Sequence, residues 1–142
     1  MKYWLFKSEP NAWSWEEQKK AGAKGEGWDG VRNYQAANNM KKMKLGDLGF
    51  FYHSVSEKKI VGVVKVIKEY HADPTDKTER FGMVRVKALK TLKKPVHLSD
   101  IKNNKKLDNF IMLKQNRLSV LPVSREQWYI ICKMADLKTS DL

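Results

Sequence analysis

The sequence predicts an α+β fold: a small, strongly curved mixed sheet or barrel with helices over its openings. Three features lead there. Strand-like apolar runs recur along the chain, helices opened by capping boxes lie beside them, and the strand–helix–strand rhythm of a doubly wound fold is missing. A chain of 142 residues is expected to form one domain, residues 1–142. At this size folding buries roughly 70% of the unfolded surface without covalent staples. No internal repeat and no Pro- or Ser-rich linker divides the chain.

Residues 2–7 (KYWLFK) are aromatic and apolar and read as a first strand, stopped by Pro10. Ser14 with Glu17 makes a capping box that opens a short helix over Trp15–Lys20. The glycines of GAKGEG (22–27) lead into Trp28 and a turn rather than from a strand into a helix, so this stretch reads as a flexible loop and not a phosphate loop. A turn at Asp29-Gly30 precedes a helix capped at Asn33, with Met40 and Met43 on one side and Lys41, Lys42 and Lys44 at its end. Those lysines complement the helix dipole and are also candidate phosphate contacts.

LGFFYHS (48–54), IVGVVKVIKEYH (60–71) and GMVRVKALKTL (82–92) read as strands. In the last, Val84, Val86 and Ala88 share one face while Arg85 and Lys87 face water. Ser99–Asn104 reads as a helical turn, and LSVLP (118–122) as a final strand closed off by Pro122. Ser124 and Gln127 form a second capping box, and Trp128, Ile131, Cys132 and Ala135 follow one buried face of the last helix.

Cys132 is the single cysteine, which rules out an internal disulfide and any Cys-rich metal site and fits a reducing compartment. With an opening MKYWLFKSEP too short in its apolar run for an export signal or a membrane span, the expectation is a cytoplasmic protein with no membrane partner. His53, His71 and His97 do not make a metal triad, and His71 with Asp73 lacks a third ligand, so no metal and no cofactor is assigned. The motifs G-x-S-x-G, H-E-x-x-H and C-x-x-C are all missing.

Lysine and arginine outnumber acids 28 to 16, a net charge of +12, which makes nucleic acid the leading partner, with the chain itself expected to be a monomer. Aromatic and hydrogen-bonding residues gather at the edges of elements: Trp4, Lys7 and Ser8; Trp28, Arg32, Asn33 and Tyr34; Tyr52, His53 and Ser54; Arg117 and Ser119. Aromatic rings stack on a base for roughly 1–3 kcal/mol, and Asn and Ser read its edge. The competing readings are structural: Trp4, Phe6 and Trp13 as core, Arg32 as a cross-link between loops, Met40 and Met43 as buried rather than a partner-binding face. A different function class is a nucleic-acid-processing enzyme, a nuclease or base-modifying activity, with His53 as general base and Ser54, Lys7 or Glu9 assisting.

At these residues the chain resembles the EVE domain family of the PUA-like superfamily, from end to end. The resemblance rests on YWLFKSEP (3–10), WDGVRNYQAANNM (28–40), GDLGFFYHS (46–54), VGVVKV (61–66) and RLSVLPVSREQW (117–128), in the family's order and spacing. It implies a PUA-like pseudo-barrel of mixed, mainly antiparallel strands with surrounding short helices. It also implies a pocket for a modified base of DNA or RNA, notably a modified cytosine. Carried over by motif, that pocket falls on Ser8, on Trp28, Arg32, Asn33 and Tyr34, on Tyr52, His53 and Ser54, and on Arg117 and Ser119, with Lys7, Lys41, Lys42 and Lys44 as phosphate contacts. Two positions depart from the family pattern: Ala37 stands where arginine is usual, and the 72–82 loop is short, with Phe81 in place of its usual aromatic.

Overall fold

The computed structural model describes residues 1–142. In chain order the elements are β1 (Tyr3–Ser8), α1 (Trp15–Lys20), β2 (Glu26–Gly27), α2 (Tyr34–Lys41), β3 (Leu48–His53), β4 (Lys59–Ala72), β5 (Gly82–His97), α3 (Leu98–Lys102), α4 (Ile111–Lys114), β6 (Val120–Val123) and α5 (Arg125–Met134). The six strands form one sheet in the order β2-β5-β4-β3-β1-β6. Only β1 and β3 run parallel; every other pair is antiparallel. Register shifts interrupt the β3–β4 ladder at Phe51/Tyr52 and the β4–β5 ladder at four points. Each adds local twist and bends the sheet into an open pseudo-barrel.

Both capping boxes form as the sequence predicts, at Ser14/Glu17 and Ser124/Gln127, and the Asn33 side chain accepts from Ala36 N at the start of α2. Three expectations need correction. The glycine-rich stretch is not a loose loop: it makes a 3-10 turn at Gly22–Lys24 and the short strand β2, paired to Arg85 and Val86. Gly25 holds φ +65°, and a Cβ there would lie 2.3 Å from the Val86 carbonyl oxygen, so the glycine lets two backbones touch. Next, β5 continues past Leu92 to His97, and the missing Pro95 N–H is tolerated because β2 covers β5 only near Arg85 and Val86. Likewise β6 runs through Pro122, because β6 is the sheet edge. The short helix α4 was not legible in its sequence, IMLK, which is too brief to show a period.

Alternation along the paired strands β1 and β3 divides the molecule. Tyr3, Leu5 and Lys7 stand beside Leu48, Phe50 and Tyr52, and on this side Tyr3 and Phe50 stack on Trp128 of α5, with centroids 4.5 and 4.0 Å away. On the other side Phe6 and Phe51 meet the edge of Trp28, and Trp15 of α1 packs on Phe51 at 5.2 Å. Both faces of β3 are therefore buried. Trp15 lies flat against β4 where Gly62 leaves room, since a Cβ at Gly62 would come within 2.3 Å of the indole. Met40, Met43 and Cys132 are core residues, and burial pushes the Cys132 thiol up to about 12.

Candidate functional site

The residues selected from the sequence do not converge on one cavity. The β1–β3 pairing sets Ser8 beside His53 and Lys7 beside Tyr52, and successive residues of a strand face opposite ways. The end of this parallel pair accordingly opens into two recesses, one on each side of the sheet.

The first recess, about 300 Å3, is lined by Ser8, Ala12, Trp13, Glu26, Trp28 and Asp29. Trp28 is held from behind by Phe6 and Phe51 and by its backbone N–H on the Val84 carbonyl at 2.8 Å. Its indole N–H has no acceptor within the protein, and since no buried polar side-chain atom lacks a partner, this donor reaches accessible space. Trp13 is half-buried, and its ring is fixed by Nε1 donating to Gln18 Oε1 at 2.9 Å. Gln18 in turn donates to the Val86 carbonyl, which ties α1 to the sheet. The Ser8 hydroxyl donates to the Trp13 carbonyl and pins the segment between β1 and α1. Two carboxylates and no basic side chain border this space; burial, then the neighbouring Asp73 and Glu26 charges, raise the Asp29 carboxyl above its ordinary range.

The second recess, about 430 Å3, lies between the ends of β1 and β3 and the helices α3 and α4. Among the residues chosen from the sequence it holds Lys7, Tyr52 and Ser54. The Lys7 ammonium donates to the Asn116 carbonyl at 3.1 Å, and burial lowers its pKa.

The remaining chosen residues are placed elsewhere. Arg32 is the cross-link between loops: its guanidinium donates to Asp73 Oδ2 and Thr75 Oγ1, both at 3.1 Å. Asn33 spends its carbonyl oxygen capping α2. Tyr34 is 63% exposed and packs on Phe81, whose ring also lies under Arg32. His53 is buried, its Nε2 accepting from Trp15 N at 3.0 Å and its Nδ1 facing Glu57 Oε1 at 2.9 Å. That bond engages the Nε2 lone pair with the backbone at the start of α1. Arg117 is exposed, while Ser119 offers its backbone carbonyl to Lys7 N at 2.8 Å. Lys41 sits over the Tyr70 ring at 5.6 Å, and Lys42 and Lys44 are exposed beside it in sequence.

Sequence reasoning missed Trp13, Glu26 and Asp29. Trp13 reads as core because aromatic residues usually are, and Glu26 lay in the stretch read as loose loop. A signal was present in Trp13 itself, a large ring just outside the strand and just before a helix cap, where neither element can enclose it fully. No group of three or more His, Cys, Asp or Glu stands in a metal-binding arrangement, and no helix is long and apolar enough to cross a membrane.

The EVE domain matches residues 2–134 of the chain. Human thymocyte nuclear protein 1 is 31% identical, over 97% of this chain and 76% of the human one. Among solved structures, a protein from Agrobacterium tumefaciens is 46% identical with TM-score 0.96, covering 98% of this chain and 96% of its own. Human thymocyte nuclear protein 1 in complex with DNA containing 5-methylcytosine is 30% identical with TM-score 0.87, over 97% of this chain and 99% of that one. A YTH domain from Zygosaccharomyces rouxii, in complex with N6-methyladenosine RNA, shares 14% identity and TM-score 0.58 over 96% of this chain and 88% of its own, a likeness of fold. With its curved mixed sheet of the PUA-like kind and a match running almost the full length of the molecule, the chain belongs to the EVE domain family.

Proposed function

We propose that this chain is a nucleic-acid-binding module that takes one modified base, of the cytosine class, out of its stack and into the recess between Trp13 and Trp28. The observation that carries the reading is the composition of that recess: two indoles and Ala12 around about 300 Å3, with Glu26 and Asp29 on its border and no cation among its lining residues. In a chain of net charge +12, a recess whose only charged lining residues are carboxylates selects a ligand part that is neutral and donates hydrogen bonds. Cytosine presents such a donor at its N4 amino group, for which Asp and Glu are the matching acceptors. The free Trp28 indole N–H complements the carbonyl of the same ring. A methyl group on the base adds apolar surface for the indoles, worth about 0.8 kcal/mol when fully buried. The complex of human thymocyte nuclear protein 1 with 5-methylcytosine DNA supports the choice. Unstacking the base costs a few kcal/mol, and phosphate contacts from the exposed Lys41, Lys42 and Lys44 help offset it without adding selectivity.

The test is binding of single-stranded and duplex oligonucleotides carrying cytosine or 5-methylcytosine, read by fluorescence anisotropy. Trp13→Ala removes one wall while leaving the core, and is expected to weaken binding by about 1–3 kcal/mol. Discrimination between the two bases should disappear with it. Asp29→Asn should retain the fold and reduce affinity for cytosine-class bases. Undiminished discrimination in Trp13→Ala would show that the base is held elsewhere.

A further inference from the structure

The second recess shares no side chain with the first and differs from it in charge. Three lysines line it, Lys7 from β1, Lys58 from the turn after β3 and Lys102 from α3, and no acid does. None of the three has a carboxylate within ion-pairing distance; the chain's ion pairs are Lys19–Glu16, Arg32–Asp73, His53–Glu57 and Lys59–Glu57. The recess thus gathers three like charges with no acid among its lining residues, an arrangement that an anion would complement. Lys7 is the most constrained, since its half-buried ammonium loses hydration and reaches only a carbonyl oxygen in exchange.

Two further features point to an organic body beside the anion. Met112 and Leu113 of α4 give the recess an apolar wall, and Val55 closes one side while remaining 64% exposed. Val55 has φ +68° and Lys58 φ +52°, so the turn that presents both residues is held in a left-handed conformation that costs most at a β-branched residue. Tyr52 adds a donor: no buried polar side-chain atom lacks a partner, and its hydroxyl has none within the protein, so it too reaches accessible space. Burial pushes that phenol up to about 12, which keeps it protonated at neutral pH. A volume of about 430 Å3 lies in the range of small-molecule sites, roughly 300–1,000 Å3.

We propose that this recess is a second binding site, for a phosphate group carrying a planar or apolar body, with the phosphate on Lys7, Lys58 and Lys102 and the body against Met112, Leu113 and Val55. A nucleoside monophosphate and one nucleotide of a bound strand share this chemistry. The inference does not rest on the base recess, which opens on the other side of the β1–β3 pair.

The experiment is titration of the full chain with uridine 5′-monophosphate, whose base lacks the N4 donor on which the first recess is argued to select, and with its two parts, inorganic phosphate and uridine, followed by amide NMR shifts. Uridine 5′-monophosphate should bind saturably and more tightly than either half-ligand, with shifts centred on Lys7, Ser54, Lys58 and Lys102. A Lys58→Asn/Lys102→Ala variant should weaken it by about tenfold or more through loss of two charge-assisted contacts. Asn is chosen because it tolerates the left-handed backbone of position 58. A Lys133→Ala/Lys138→Ala variant, which loses the same charge away from the recess, should bind as the parent does. Equal weakening in both variants, or shifts centred on Trp13 and Trp28, would overturn the proposal. An oligonucleotide that displaces the mononucleotide assigns the site to the strand; one that leaves it bound assigns the site to a free nucleotide. Trp13→Ala should leave this titration unchanged, so loss of base discrimination and loss of the second site are read separately.

Discussion

At Trp15 the first peptide N–H of α1 has no carbonyl one turn back to receive it, as at every helix start. The Ser14 hydroxyl takes Glu17 N, and the imidazole of His53, 38 residues away, takes Trp15 N. The same ring faces Glu57, whose carboxyl is held below its ordinary range first by that hydrogen bond. His53 is thus a tertiary cap for α1, a role that its sequence position, between tyrosine and serine at a strand end, does not reveal. His53→Ala should lower stability by about 1–3 kcal/mol, the cost of leaving a buried donor unpaired. Thermal unfolding checks this, and an unchanged midpoint would show that water or another acceptor replaces the imidazole. His53→Gln should recover part of the loss, because its carbonyl oxygen can accept from the same N–H.

At the scale of elements, the loop between β4 and β5 is organised by two aspartates. Asp73 accepts from Gly30 N, Thr75 and Arg32, and Asp76 accepts from Thr78, Arg80 N and Phe81 N. Burial pushes the Asp73 carboxyl up, but the hydrogen bonds from Thr75, Gly30 and Arg32 together outweigh it and bring it below its ordinary range. Asp76 is held at about 2, first by the Thr78 hydroxyl. Both groups bind fewer protons folded than unfolded, so their contribution is complete above the unfolded value of about 3.9 and is lost as pH falls. The loop should loosen between about pH 4 and pH 2, shown by faster amide exchange at Thr75, Thr78 and Phe81 while β3 and β1 stay protected. An Asp76→Asn variant should show this loosening already at pH 7. Because Gly30 and Arg32 are fastened to this loop, the approach to Trp28 and Asp29 loosens with it.

For the molecule as a whole, charge and selectivity are carried by different parts. The excess of 12 positive charges is spread over the surface, while the recess proposed for the base is bordered by Glu26 and Asp29. Nucleic-acid affinity should therefore fall steeply with salt, with a slope of about −0.7 per phosphate neutralised on a single strand. Replacing Lys42 and Lys44 by alanine should reduce that slope by about 1.4 and weaken cytosine and 5-methylcytosine strands alike. Anisotropy titrations at several ionic strengths measure both quantities, and a change in the ratio between the two strands would place these lysines at the base itself.

The helix caps, the strand runs, the buried face of α5 and the choice of fold class are all written in local spacing, because a cap or an amphipathic face is decided by residues three or four apart. Residues such as Ser8 and Trp28 were legible as candidates because they sit at element ends, and both line the first recess. What neighbours they meet was settled only by tertiary structure. One parallel pairing, Lys7 with Tyr52 and Ser8 with His53, sends adjacent residues to opposite faces and turns one imagined pocket into two. The pairing of β2 with β5 brings Glu26 to the edge of the first recess, and distant partners, Asp73 for Arg32 and the Trp15 N–H for His53, give these two candidate residues structural ties. Partners separated by tens of residues leave no local pattern, since their meeting depends on how the whole sheet closes around its core.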